Sequence, residues 1–405
     1  MKNQKGGAMK KEARILTLVL GFVLGFTFSL AYGADVVKIG SLYPRTGNLA
    51  RVGVECLRGV DLANEIQNAR GGVLGKKIEL VPGDAVDAKR AMSEAERLIT
   101  IGGVKIILGT MSSSCAYAAS EAAEKHGALY WETHAVADDI TGRGFKYIFR
   151  MTPPSSVYGR IHAQFAKEIG AKTVALIGED SLFGTSVVDF ASKEAKAMGM
   201  KVVYEQLYNP KSLDTSSMVM KLKSANPDHV IGVFYGPDAL LFTKQMKELN
   251  CNVPSFIGTG AGHNLPDFIN SLGNDGNYFG AAYGWNSDFK APGVEEFVKK
   301  YQQKYGQKPY GHDAGQGYNG VMVLFKMIEK AGSFEPNSIR KAALETTLPD
   351  SMTGFPVKFD QTGQNTEAGL GIGQWQEKEM FTVWPQKIAT KKFVRPMPAW
   401  AQRGK

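Results

Sequence analysis

Three consecutive serines, Ser112, Ser113 and Ser114, follow the apolar run "IILGTM" and open the alanine-rich stretch "CAYAA". Hydroxyls placed where a strand ends and a helix begins have four uses. They can cap the helix, act as a nucleophile, cradle a phosphate, or hold a small anion against the helix's unpaired N–H groups. A nucleophile turn needs G-x-S-x-G, and Gly109-Thr110-Met111-Ser112-Ser113 lacks the second glycine. A phosphate loop needs G-x-x-x-x-G-K-[ST], which occurs nowhere in the chain. Ser112 is therefore expected to cap the helix, and Ser113 to hold a carboxylate or another polar group.

The segment "WETHAVADD" carries Glu132 and His134 at the end of another apolar run. Two residues apart on a strand, an acid and an imidazole share a face, as a general acid–base pair would require. No nucleophile or metal motif accompanies them, so hydrogen bonding to a ligand, or a histidine satisfied by its own neighbours, fits as well. "FIGTGAGHN" spaces Gly258, Gly260 and Gly262 as G-x-G-x-G, not G-x-G-x-x-G, and predicts a tight loop after a strand instead of a dinucleotide site. His126, His134, His162, His229, His263 and His312 are dispersed without an H-E-x-x-H pair, and no metal or other cofactor is expected. Cys56, Cys115 and Cys251 have no metal-ligand spacing. In an oxidising compartment Cys56 and Cys115, each placed near the start of a helix, could bridge. Aromatic residues gather at strand ends, among them Tyr43, Tyr117, Trp131, Phe183, Tyr235, Tyr283 and Trp285. Phe183 and Tyr235 stand where a strand hands over to a helix.

Positioning these residues falls to a regular alternation of strands and helices. Strand-like runs such as "VVKIGSLYP", "KIELVPGD", "VKIILGT", "TVALIGED" and "HVIGVFYG" alternate with amphipathic stretches at 55–68, 88–101, 115–126, 156–169, 185–198, 215–224 and 238–249. Several helices stop at glycine, as at Gly102-Gly103, Gly170 and Gly199. The alternation predicts an α/β protein of two doubly wound parallel-sheet lobes, with a break near Pro153-Pro154 and a cleft at the carboxyl ends of the strands. Longer helices at 294–305, 313–331 and 337–346 precede short strands near 356–359, 371–376 and 380–384.

The first 33 residues read differently. Five basic residues precede the apolar run "ILTLVLGFVLGFTFSLAYG", and small residues follow at Ala31, Gly33 and Ala34. This order predicts a signal peptide at 1–33, cleaved after Gly33, and hence an exported protein. Without the leader the net charge falls from +9 to +5, from 43 basic and 38 acidic residues. Neither a basic stripe nor interleaved aromatics are present, so no nucleic acid is expected as a partner.

Taken in order, "VKIGSLYPRTGNLARVGVECLRGVDLANEIQNARGGVLGKKIELVPGDAVD", "GVKIILGTMSSSCAYAASEAAEKHG", "ITGRGFKYIFRMTPP", "VALIGEDSLFGTSVVDFASKEAKAMGMKV", "MVMKLKSANPDHVIGVFYGPDALLFTKQMKELN" and "AGQGYNGVMVLFKMIEKAG" resemble the periplasmic branched-chain amino acid-binding proteins, solute receptors of ABC importers. The resemblance spans the mature chain. It implies a type 1 periplasmic-binding-protein fold with three hinge crossovers. The N-terminal lobe would hold 34–152 and 284–368, the C-terminal lobe 153–283 and 369–405. It also implies a monomer that binds a small organic molecule and delivers it to membrane permease subunits. The family's ligand contacts fall on Val52, Ser113, His134, Val136, Phe183 and Tyr235, with Ser113 holding a carboxylate. The family's ammonium-binding acid aligns with Gly260. Either Glu132 or Asp180 supplies that charge, or the ligand is a carboxylate or amide without an α-amino group. The family's usual disulfide is missing, because "GDAVDAK" has no cysteine. Two rival functions are a sensing lobe for a signalling partner and a cleft hydrolase using Glu132 and His134.

Overall fold

The structure, a computed structural model, describes residues 36–403 apart from 213 and 310, so the predicted signal peptide lies outside the described residues. Two sheets organise the chain. The first contains β1 (Val36–Tyr43), β2 (Lys77–Asp84), β3 (Ile106–Gly109), β4 (Leu129–Glu132) and β5 (Ile148–Arg150), in the order β2-β1-β3-β4-β5. Every pairing in it is parallel. The second contains β6 (Thr173–Glu179), β7 (Lys201–Tyr208), β8 (His229–Val233), β9 (Phe256–Thr259), β10 (Gly280–Tyr283), β13 (Gly371–Gln376) and β14 (Glu379–Trp384), in the order β14-β13-β10-β9-β8-β6-β7. Its core is parallel, and the β13–β14 hairpin joins one edge antiparallel. A two-stranded ribbon, β11 (Thr347–Leu348) with β12 (Val357–Lys358), lies between in sequence.

Parallel strands are covered on both faces, so their side chains are apolar in both directions. On β3, Ile106 and Leu108 face one core and Ile107 the other. Helices Ala50–Ala69 and Asp313–Ala331 cover the first face, while Ala88–Thr100 and Ser113–Lys125 cover the second. Cys56 and Cys115 therefore sit on opposite faces of the sheet. All three cysteines are free thiols, and the Cys56–Cys115 bridge is not formed. Gly59 lets the first two helices touch backbone to backbone, since a Cβ there would lie 1.9 Å from the Ala314 carbonyl oxygen.

The chain passes between the sheets three times, at 150–155, 283–294 and 364–371. Buried Arg150 ties two of these crossings together. Its Nε donates to Gln364 Oε1 at 2.6 Å, and Gln364 Nε2 donates to the Thr152 carbonyl at 2.9 Å. Among the features not read from the sequence are the helix Pro266–Leu272, the short helix Asp139–Gly142 and strand β11. Among the described residues, no helix is long and apolar enough to cross a membrane.

Candidate functional site

Between the carboxyl ends of the two sheets lies a small inner cavity. The first sheet's side contributes Met111, Ser113, His134, Val136 and His312. The second contributes Phe183, Tyr235, Thr259 and Gly260, with Tyr158 from the helix that follows the first crossing. Five of the predicted contacts, Ser113, His134, Val136, Phe183 and Tyr235, thus meet in one place, together with Gly260. Met111, Tyr158, Thr259 and His312 were missed.

Ser113 is the first residue of helix Ser113–Lys125 and is almost wholly buried. Its Oγ accepts the N–H groups of Val136 at 3.3 Å and Ala137 at 3.2 Å. With both acceptor positions used, its own hydrogen is left to donate to a group in the cavity. The helix's first N–H groups add partial positive charge at the same point. Ser112 occupies the N-cap position, but its side chain makes no capping bond. The capping expectation is corrected: the Ser112 hydroxyl lies instead near the Cys115 thiol and the Tyr235 phenol.

Glu132 lies behind the cavity wall. Its carboxylate accepts from the N–H groups of Thr110 at 2.8 Å, His134 at 2.7 Å and Ala135 at 2.8 Å. Burial pushes its pKa up to about 8 against the pull of those bonds. The expected same-face pair with His134 is not formed, because β4 ends at Glu132 and the alternation of faces ends with it. His134 is spent on other partners. Its Nε2 lies 2.9 Å from the Asp313 carbonyl, which can only accept, so the proton sits on Nε2. Nδ1 then accepts from Thr133 Oγ1 at 2.7 Å, and Thr133 Oγ1 accepts from Tyr43 at 2.7 Å. Burial lowers the ring's pKa to about 4, so His134 is neutral at pH 7. Asp180 is exposed and does not line the cavity.

On the second lobe, the Phe183 and Tyr235 rings lie 5.1 Å apart at 32° and form an aromatic wall. Gly260 has φ +95°, and a Cβ there would meet the Phe183 ring at 2.5 Å. Glycine is therefore required by the fit of that ring as well as by the backbone. Val52 lines a neighbouring outer chamber of the cleft and not the inner cavity.

Asp313 is the acid that sequence reasoning overlooked. It begins helix Asp313–Ala331, is fully buried, and neither carboxylate oxygen has a hydrogen-bond partner. His312 Nε2 lies 3.4 Å from its Oδ1, and burial raises its pKa to about 7. Cys56, His134 and Asp313 offer ligand atoms within 4.8 Å of one another, but both His134 nitrogens are already engaged. The only signal in the sequence was the "HD" at a helix start, which resembles an ordinary first-turn acid.

A family model described as "Periplasmic binding protein" matches residues 36–379. Leu/Ile/Val-binding protein homolog 8 of Brucella abortus (strain 2308) is 36% identical over 400 residues, covering 95% of this chain and 99% of its own. The leucine-binding protein LivK of Thermotoga maritima superposes with a TM-score of 0.78 at 24% identity, over 85% of this chain and 97% of that one. A solute-binding protein of an ABC transporter from Rhodopseudomonas palustris BisB5, solved with 3,4-dihydroxybenzoic acid, superposes at 0.77 with 25% identity, over 89% and 99%. The fold is that of the type 1 periplasmic binding proteins, and this chain belongs to the periplasmic binding protein family.

Proposed function

We propose that the chain is the solute receptor of an ABC importer and closes on a small carboxylate with a flat apolar body. The observation that carries the ligand class is the free Ser113 hydrogen at a helix N-terminus, facing an aromatic wall that holds glycine where an ammonium-binding acid would stand. Binding an α-ammonium there would strip it of water without a counter-charge. Carboxylate capture by a relative is illustrated by the Rhodopseudomonas complex with 3,4-dihydroxybenzoic acid.

The lobes are taken as 34–152 with 284–368, and 153–283 with 369–405. The protein works as a periplasmic monomer, exported by the leader at 1–33. It binds no nucleic acid, and its closed form docks on permease subunits. A sensing role would need a signalling partner instead of a permease. A hydrolase is disfavoured because the Glu132 carboxylate is held by backbone N–H groups, that of His134 included, while the His134 ring bonds the Asp313 carbonyl and Thr133, so the two side chains do not pair.

One observation favours a second ligand class. Asp313, buried and unpartnered beside His312, could receive an ammonium if the His312 ring turned aside. Calorimetric titration of the mature chain with benzoate and with leucine separates the two. Benzoate should bind and leucine should not; tight leucine binding that Asp313→Asn abolishes would replace the carboxylate reading with the amino acid one.

A further inference from the structure

We propose that the cleft holds a second, apolar subsite outside the inner cavity, and that the ligand is a carboxylate bearing an apolar tail long enough to enter it. This inference rests on the carboxylate reading above and extends it to the ligand's other end. The subsite is the outer chamber, which is larger than the inner cavity. Val52 lines it from the first lobe, and Pro237, Leu240, Leu265 and Phe268 line it from the second.

Two chain segments border both spaces. Tyr235 lines the inner cavity and Gly236 the outer chamber; Gly260 lines the inner cavity and Gly262 the outer chamber. The two spaces therefore adjoin along both segments. A head held at Ser113 and a tail among Leu240, Leu265 and Phe268 would therefore belong to one molecule.

The charges at the rim decide what the tail is. Arg51 Nε donates to Asp267 Oδ2 at 3.0 Å, closing the mouth between lobes, and Arg51 Nη1 donates to Glu55 Oε1 at 2.6 Å. Arg51 and Asp267 thus neutralise each other, and Asn48 is the remaining polar residue of the lining. A second ionic group would find no unpaired counter-charge there, whereas hydrocarbon would find apolar walls. The expected ligand has one charged end.

The test is calorimetric titration with benzoate and the 4-n-alkylbenzoates from methyl to butyl. Affinity should tighten by about two- to fourfold per methylene until the chamber is filled. Leu240→Trp, which fills the chamber, should remove that increment and leave benzoate itself unchanged. Leu265→Phe narrows the same space and serves if Leu240→Trp does not fold. Equal affinity for benzoate and 4-butylbenzoate in the unmodified protein would overturn the subsite while leaving the carboxylate reading intact. So would an increment that persists in the filled variants. Failure of every member of the series to bind would overturn the carboxylate reading, and the subsite with it.

Discussion

Ser113 joins the two halves of the site's logic. Its oxygen holds the 136–137 segment in place, and its hydrogen is left for the ligand. Ser113→Ala removes both functions without adding bulk. Affinity for benzoate should fall about ten- to hundredfold, the range for losing a hydrogen bond to a charged group. The melting temperature should also fall, because two buried N–H groups lose their acceptor. Unchanged affinity in calorimetry would exclude Ser113 as the carboxylate donor. At this scale the sequence was informative about residue type and poor about orientation. Ser112 and Ser113 look equivalent in "SSS", yet one side chain turns toward Cys115 and Tyr235 while the other enters the cavity. That difference is set by where the 136–137 backbone passes, which local sequence does not encode.

Helices and strands carry the site by fixing the distances between such residues. A tightly constrained helix–helix contact is that between Ala50–Ala69 and Asp313–Ala331, where Gly59 faces the Ala314 carbonyl. Because the obstacle is backbone, it cannot rotate aside as a side chain would. Gly59→Ala should force the helices apart and destabilise the fold by about 3 kcal/mol, measured by denaturant unfolding; a loss below about 1 kcal/mol would show that the pair repacks. The same displacement would move His312 and Asp313 at the helix start, so ligand affinity should drop with stability. Most helices were legible to within a few residues from apolar spacing and glycine stops. Helix Pro266–Leu272 was not, because seven residues give too short a run for a 3.6-residue period to stand out. Glu132 and His134 were misread for a related reason: the alternation of faces assumed a strand one residue pair longer than β4 is.

The whole molecule has a pH signature set by its interior. His134, His162, His229, His263 and His312 are all buried, and burial lowers their pKa values to about 3–4. In the unfolded chain each takes up a proton below about 6.5. The unfolded state therefore binds more protons between about pH 6.5 and 4, and stability from these residues is lost as pH falls through that window. Glu132, Glu179 and Asp313 act in the opposite sense. Burial raises their pKa values to about 8, 7 and 7, so the folded state keeps protons that the unfolded state has released. Their contribution declines as pH rises from about 4 toward 8. Five histidines against three carboxyls leave a net loss on the acid side, and the carboxyls alone act above pH 7. Thermal unfolding should therefore peak near pH 6.5–7 and fall in both directions. A melting temperature that rises steadily from pH 7 to 8.5 would contradict this balance.

By itself the sequence determined the class of the molecule. Strand–helix alternation with glycine stops specifies two covered parallel sheets, and the order of segments places the chain among the periplasmic binding proteins. Both signals are periodic or linear, and burial of apolar faces reads directly from them. Only the tertiary structure decided which polar groups remain free to meet a ligand. Glu132 and His134 carry promising chemistry, but the backbone around them uses up their hydrogen bonds. Asp313 reads as an ordinary first-turn acid, but packing buries it without a partner. Val52 aligns with a ligand contact, and the fold sets it in the outer chamber and not beside Ser113. Hydrogen-bond satisfaction and cavity shape depend on segments far apart in the chain, so no local pattern of residues could have fixed them.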